Sequence, residues 1–201
     1  MKISSLMIPD PITIAANASV SEAIELMKVN SIRHLPVVSG ANKLEGFLTL
    51  ADLKQGLIPS MVGDLSLRDL MIKEPITVAP EDDIETAAQL IYTHKISGMP
   101  VVKNDQLVGI ITETDILRTF IDMMGILSAT SRIDVLIGDQ PKAFNKVLQI
   151  INANGGDIIN VTMTAQKDRK RVYYFRLASC KTGRIKAALE KESFEVLAAM
   201  D

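Results

Sequence analysis

Apolar positions recur along the first 125 residues in two closely similar phrases. Val20, Ala23, Ile24 and Met27 follow the i, i+3, i+4, i+7 spacing of one helix face, and Ser19 with Glu22 supplies a capping box ahead of them. Ile84, Ala87, Ala88 and Ile91 repeat that stripe, with Asp83 at the cap position. After each helix come a β-rich LPVV or MPVV, a polar turn (SGANK or KND), a second strand (LEGFLTL or LVGIIT) and a further helix. The pattern therefore predicts strand-helix-strand-strand-helix, twice. PITIA at Pro11 returns as PITVA at Pro75, and Pro36 returns as Pro100, each 64 residues on. Thr49 and Asp52 return as Thr112 and Asp115 after 63, and Leu6-Met7 falls on Leu70-Met71. The copies run from about 1 to 58 and from about 65 to 125, joined by GLIPSMVGD. Neither buries its apolar faces alone, so the two are expected to pack on each other.

From Ser131 the rhythm changes. Ile133, Val135 and Ile137 alternate as in a strand, and Pro141 suits the first turn of a helix whose stripe is Phe144, Val147, Leu148 and Ile151. Gly155-Gly156 ends that helix. Strands are predicted over 158–164 and 171–178 across the charged turn QKDRK, a helix over 184–191 and a last strand over 194–200. The order is βαββαβ, a ferredoxin-like split unit in an α/β (α+β) chain. Ile116, Phe120, Met124 and Leu127 suggest that the last helix of the second copy continues toward this tail. The expected domains are 1–62, 63–128 with the linker helix, and 129–201.

Composition narrows the function classes. Of 201 residues, 47% are hydrophobic and 23% charged, and a net charge of −2 provides no broad positive field for nucleic acid. A single cysteine, Cys180, excludes an internal disulfide, and His34 and His94 are too few to complete a Cys/His zinc cage with it. Cys180 reads as a packing residue, and ten methionines read as adaptable core or interface material. No secretory h-region or long uncharged apolar run is found, so a cytoplasmic protein away from membranes is expected. No G-x-S-x-G, C-x-x-C, H-E-x-x-H, Walker or G-x-G-x-x-G arrangement occurs, which argues against an enzyme. His94 and the run Glu81-Asp82-Asp83 are explained by helix-dipole compensation at a helix end and a helix start.

Thr112-Glu113-Thr114-Asp115 carries two readings. A Thr at a helix start with an acid three residues later is an ordinary capping box, worth about 0.5–2 kcal/mol. The same helix start also offers N–H groups and a positive dipole end to a phosphate, while a carboxylate there can accept from ribose hydroxyls. Thr49 and Asp52 repeat the box after a second G-x-x-T strand end. Taken alone, His34 reads as a structural histidine and Arg33 as a solvated charge.

SIRHLPVV with GFLTLAD, and ISGMPVV with GIITETD, resemble the two halves of a cystathionine-β-synthase (CBS) domain pair, the Bateman module. The tail resembles an ACT domain through its element order and the turn Asp139-Gln140-Pro141, and the whole arrangement is similar to the acetoin-utilisation B protein family. The resemblance implies a non-enzymatic regulatory protein without a catalytic cofactor, which binds an adenosine-containing ligand in the clefts between copies: AMP, ADP, ATP, S-adenosylmethionine or NADH. It assigns ribose to Asp52 and Asp115, ribose or phosphate to Thr49 and Thr112, and phosphate to Arg33 and His34 just before Pro36. Ser97 and Gly98 stand at those positions before Pro100, so the second cleft is expected to accept an uncharged face or to borrow charge from Arg33, His34 or Arg118. Adenine would meet backbone around Thr13 and Thr77 and lie between Leu35, Met99, Ile32 and Ile96. In the tail, Lys142 replaces the Gly that ligand-binding ACT members carry after the Pro, which favours dimerisation or docking over amino-acid binding. A homodimer and an unidentified protein partner are the expected associations. A ligand-free structural dimer and an amino-acid sensor acting through the tail remain the alternatives.

Overall fold

The computed structural model describes residues 1–55, 65–127, 130–164 and 170–201, and the chain divides into two units, Met1–Leu117 and Arg118–Asp201. The joint GLIPSMVGD and most of the turn QKDRK lie outside the described residues.

In the first unit the opening strand β1 (Ile8–Pro9) precedes the first copy: β2 (Ile14–Ala15), α1 (Val20–Val29), β3 (His34–Val38), β4 (Leu44–Thr49) and α2 (Leu50–Gln55). The second copy follows α3 (Leu67–Leu70) and contributes α4 (Ile84–His94), β5 (Gly98–Lys103), β6 (Gln106–Thr112) and the start of α5 (Glu113–Met123), which runs on past Leu117 into the second unit. The capping box of α1 forms: Glu22 N donates to Ser19 Oγ at 3.1 Å, and Ser19 N donates to Glu22 Oε2 at 2.7 Å. At α4 the cap differs from expectation. Asp83 holds the N-cap position without a side-chain cap bond, because Lys2, bridged to it through the backbone, draws its carboxylate to 3.0 Å from Nζ. The β5–β6 hairpin turns through Asn104 and Asp105, both at positive φ, as a two-residue turn between right-handed strands requires.

The sheets exchange chain. β2 runs parallel to β3, which pairs antiparallel with β4, but the strand expected to open the second copy is reduced to one parallel bridge from Val78 to Val101. The edge of β6 is instead covered by β1, with Ile8 opposite Ile110 and Pro9 opposite Gly109. Reciprocally, Ile72, preceding the second copy, bridges Phe47 of β4. The lead-ins thus serve the opposite copy. Ile3 bonds to the backbone of Asp82, while Leu67 enters the core of the first copy with Met27, Leu35, Val37 and Leu48. Gly46 and Gly109, the glycines of G-x-x-T, are explained by this exchange. A Cβ on Gly46 would lie 2.5 Å from Met71 Sδ, and one on Gly109 would lie 2.6 Å from Met7 Sδ.

The second unit contains β7 (Ser131–Gly138), α6 (Ala143–Ala153), β8 (Ile158–Met163), β9 (Lys170–Leu177), α7 (Thr182–Lys191) and β10 (Glu195–Met200). Its antiparallel sheet has the order β10-β7-β9-β8, the split arrangement expected from βαββαβ. Ile133, Val135, Ile137, Phe175 and Leu177 form its core with Val147, Ile151, Ile185 and Leu189 of the helices, and Cys180 packs against that core. Three helix boundaries differ from expectation. Pro141 precedes α6 instead of entering its first turn, and Lys142 takes the left-handed conformation at φ 68°. α7 starts two residues early because Asp201 Oδ1 accepts from both Thr182 N and Thr182 Oγ1 at 2.8 Å; these bonds hold the Asp201 carboxyl down to about 2. α5 stops at Met123, short of Leu127: Gly125 at φ 62° lets Ile126 N bond back to Ile121 O, a Schellman closure. The same closure ends α6 at Gly155-Gly156, with Gly156 N on Ile151 O.

Gly109→Ala is expected to destabilise the first unit by about 1–3 kcal/mol, because neither Met7 nor the Ile8 carbonyl at 3.1 Å yields freely. Urea unfolding should show the Met7→Ala/Gly109→Ala pair less destabilised than the sum of its singles; strict additivity would mean that Met7 is not what excludes the methyl group.

Candidate functional site

The strand-to-helix turns place both boxes. At the start of α5, Asp115 Oδ2 accepts from Thr112 N at 2.9 Å and Thr112 Oγ1 at 2.6 Å. At the start of α2, Asp52 Oδ2 accepts from Thr49 N at 2.8 Å and Thr49 Oγ1 at 2.7 Å. Both capping boxes are therefore real, each fixes a carboxylate at the helix start, and the next N–H of each helix crosses to the lead-in of the repeat's other strand, Leu50 N to Arg33 O at 2.9 Å and Glu113 N to Ser97 O at 3.0 Å.

A cavity of about 290 Å³ opens beside the first of these, at the lower end of the usual ligand-pocket range of about 300–1,000 Å³. Its walls come from both copies: Ile8, Asp10, Pro11, Ile12, Ser31, Ile32, Arg33 and His34 from one side, Ile110 and Thr112 from the other. It is the swapped pairing of Ile8 with Ile110 that brings these walls together. Of the residues singled out from sequence, Ile32, Arg33, His34 and Thr112 line the cavity, and Asp115 is bonded to Thr112. Ser97 and Gly98 abut it through His34 and Thr112. Leu35 and Met99 are fully buried, Leu35 within the core of the first copy, and neither lines the cavity. Pro36 and Pro100 are held in the hairpins opposite Phe47 and Ile110. Thr13, half-buried, follows the wall residue Ile12. Thr49, Asp52, Thr77 and Ile96 belong by register to the opposite side of the repeat, where the counterparts of the wall are Phe47, Thr49, Ile72, Glu74, Pro75, Ile76, Lys95, Ile96, Ser97 and Gly98. Sequence reasoning missed Ile8, Asp10, Pro11, Ile12, Ser31 and Ile110. The repeated P-I-T phrase marked Pro11 and Ile12, and strand alternation from Thr112 would have found Ile110. Ser31 takes φ 54°, as Lys95 does 64 residues later, so that turn is repeated in conformation though not in composition.

His34 sits where the copies meet. The residue is 8% exposed, its ring is stacked on Phe47 with centroids 5.7 Å apart, and its Nε2 is 2.7 Å from Ser97 Oγ. Gly98, its register counterpart, approaches the same spot: a Cβ there would stand 3.3 Å from His34 Nε2 and 3.2 Å from Thr112 Cγ2. One imidazole fits. Burial, with Arg33 next, pushes the His34 imidazole below its ordinary value of 6.5, against the pull of Glu113, Asp115 and Asp52. At neutral pH it is an uncharged hydrogen-bonding wall rather than a cation, which leaves exposed Arg33 as the basic residue of a lining whose single acid is Asp10.

The profile of the CBS domain matches residues 3–58 and 67–122, more than half of the chain. The chain belongs to the CBS-domain family. The CBS pair resembles that of protein MJ0100 solved in complex with 5′-methylthioadenosine and S-adenosyl-L-methionine, at 30% identity and TM-score 0.56 over 60% of this chain and 95% of that one. It also resembles a putative acetoin utilization protein (AcuB) from Vibrio cholerae, at 30% identity and TM-score 0.56 over 63% and 95%. CBSX2 in complex with AMP matches at 27% identity and TM-score 0.53 over 60% and 96%. A homoserine O-acetyltransferase of Methanohalobium evestigatum is 35% identical over 117 residues, 58% of this chain and 23% of that protein. The chain spans less than a quarter of the length of such curated relatives. Among the described residues, no helix of this CBS protein is long and apolar enough to cross a membrane.

The buried imidazole makes stability depend on pH. Because the folded pKa of His34 lies below its unfolded value, its contribution is complete above about pH 6.5 and is lost as pH falls through the folded pKa. Denaturant melts at pH 7.5 and 5.5 are expected to show a loss on acidification that is smaller in His34→Gln; an equal loss in both chains would remove His34 as the cause.

Proposed function

We propose that this CBS protein is a regulatory, non-enzymatic ligand sensor whose clefts take an adenosine-containing molecule, drawn from AMP, ADP, ATP, S-adenosylmethionine and NADH. The observation that carries this reading is the cavity between the copies, walled from both sides and opening beside the N-terminus of the eleven-residue α5, with Arg33 on its rim. Two of the similar solved structures hold adenosine-bearing molecules. In this reading Thr112 and Asp115 serve ribose, Arg33 faces phosphate, His34 donates or accepts as a neutral ring, and Ile12 and Ile32 cover the adenine near the Thr13 backbone. The counterpart cleft, with Thr77, Ile96, Ser97, Gly98, Thr49 and Asp52, has uncharged Ser97 and Gly98 where the first has Arg33 and His34, and takes the less anionic ligand.

Residues 1–62 and 63–128 act as the two sensing halves, and 129–201 as an ACT-like module that receives the signal or docks a protein partner. The protein works as a cytoplasmic homodimer of the acetoin-utilisation B type. Lys142 retains the left-handed backbone that suits glycine while placing a side chain on the turn, which supports docking over amino-acid binding in the tail.

Calorimetry on Asp115→Ala is expected to show about a 10- to 150-fold weaker nucleotide, the loss of one charge-assisted contact of about 1.5–3 kcal/mol, with folding checked in parallel because a cap is also removed. Full affinity in a folded Asp52→Ala/Asp115→Ala chain would end the ribose assignment. Arg33→Ala should weaken ATP more than adenosine and flatten the salt dependence; equal losses would remove the phosphate role. A thermal-shift panel that adds amino acids to the nucleotides separates the tail-sensor and ligand-free alternatives.

A further inference from the structure

The sheet of the second unit has two unlike faces. Ile133, Val135, Phe175 and Leu177 point into the core beneath α6 and α7, so the alternate residues Arg132, Asp134, Tyr174 and Arg176 lie on the other face. A cavity of about 210 Å³ lies there, lined by Arg132, Tyr174, Arg176, Thr162 of β8, and Met124 and Ile126 from the turn after α5.

Its two arginines are in different electrostatic states. Arg132 is spent internally: Nε and Nη2 donate to the two oxygens of buried Asp134 at 2.7 and 2.6 Å, and the guanidinium lies 4.9 Å from the centre of the Tyr174 ring. Arg176 makes no ion pair among the described residues, and its Nη1 donates to Thr130 Oγ1 at 3.1 Å, which leaves most of its five N–H groups for another acceptor. Beside the cavity, Asn160, the strand partner of Arg176, donates from Nδ2 to the Met123 carbonyl at 2.8 Å, while its Oδ1 is buried with no donor. The cavity therefore holds one guanidinium without an ion pair next to an apolar wall of Met124 and Ile126, and the Asn160 acceptor lies outside its lining.

We propose that the cavity binds a small aliphatic monocarboxylate, its carboxylate paired with Arg176 and its hydrocarbon against Met124 and Ile126. A planar carboxylate matches the guanidinium fork. A phosphate dianion does not match the site, because Arg132 is already neutralised and a single cation remains. The volume limits the body to a short chain. Thr162 and Tyr174 add hydroxyl-bearing side chains to the wall. The site uses no residue of the CBS clefts, so it stands or falls independently of the nucleotide reading.

The test uses the full chain and isobutyrate as probe, with isobutyramide and inorganic phosphate as controls. Saturable binding near the millimolar range is expected by calorimetry, with both controls markedly weaker. NMR shifts should fall on Met124, Ile126, Thr162 and Tyr174. Arg176→Gln is expected to weaken isobutyrate about tenfold or more, and Arg176→Lys to retain an intermediate affinity. Shifts that map elsewhere in wild type, equal binding of isobutyramide, or undiminished affinity in folded Arg176→Gln would each overturn the proposal. The wild-type mapping decides the matter even should Arg176→Gln fail to fold. Nucleotide titration of the same variant should be unchanged.

Discussion

The short ladders that Ile8 and Pro9 make on β6, and that Ile72 makes on Phe47 of β4, tie the first unit together. Each is only one or two residues long, yet each places a chain segment from one copy on the strand that leads into the helix of the other. Backbone pairing of this kind leaves no room for a side chain beneath it, which is why both strands carry glycine where a methionine thioether crosses. Removing the ladder would expose strand edges and also separate the walls of the cavity, since Ile8 and Ile110 face one another only through it.

The same crossing explains why a repeated sequence makes unequal sites. Away from the place where the copies meet, the register is kept closely: Thr112 and Asp115 mirror Thr49 and Asp52 in every bond of the box. At the meeting point the mirror images compete for one volume. His34 takes it, Gly98 yields it, and Ser97, the counterpart of Arg33, supplies the hydrogen bond that keeps the buried ring satisfied. Burial then removes the charge from the imidazole, so the basic character of the cavity rests on Arg33 alone, in an exposed position where ionic strength reaches it.

Much of this was legible in the chain itself. The capping boxes, the G-x-x-T strand ends, the βαββαβ order and the helix stripes other than that of α5, which stops before Met124, arise from interactions within a few residues and formed where the pattern put them. What escaped were long-range substitutions of one partner for another. Asp83 is pulled from its cap by Lys2, α7 is extended by Asp201 from the far end of the unit, and the opening strand of the second copy shrinks to a bridge because its sheet is finished by β1. The adenine contacts assigned to Leu35 and Met99 suffered from strand alternation: neighbours of a cavity residue in a strand point the other way, into the core. The left-handed turn at Ser31 carried no composition signal, since Ser31 and Lys95 share the conformation without sharing chemistry.

The paired approach of His34 and Gly98 also bears on how such a chain can diversify. Two identical copies would bring the same side chain to that spot twice, and a second bulky residue would press on the first, since a Cβ at position 98 already stands 3.3 Å from His34 Nε2. Drift at these two positions is therefore not independent. A larger residue at position 98 meets the ring at position 34, and the reciprocal exchange would move that ring from one cleft's wall to the other's, trading the characters of the two clefts.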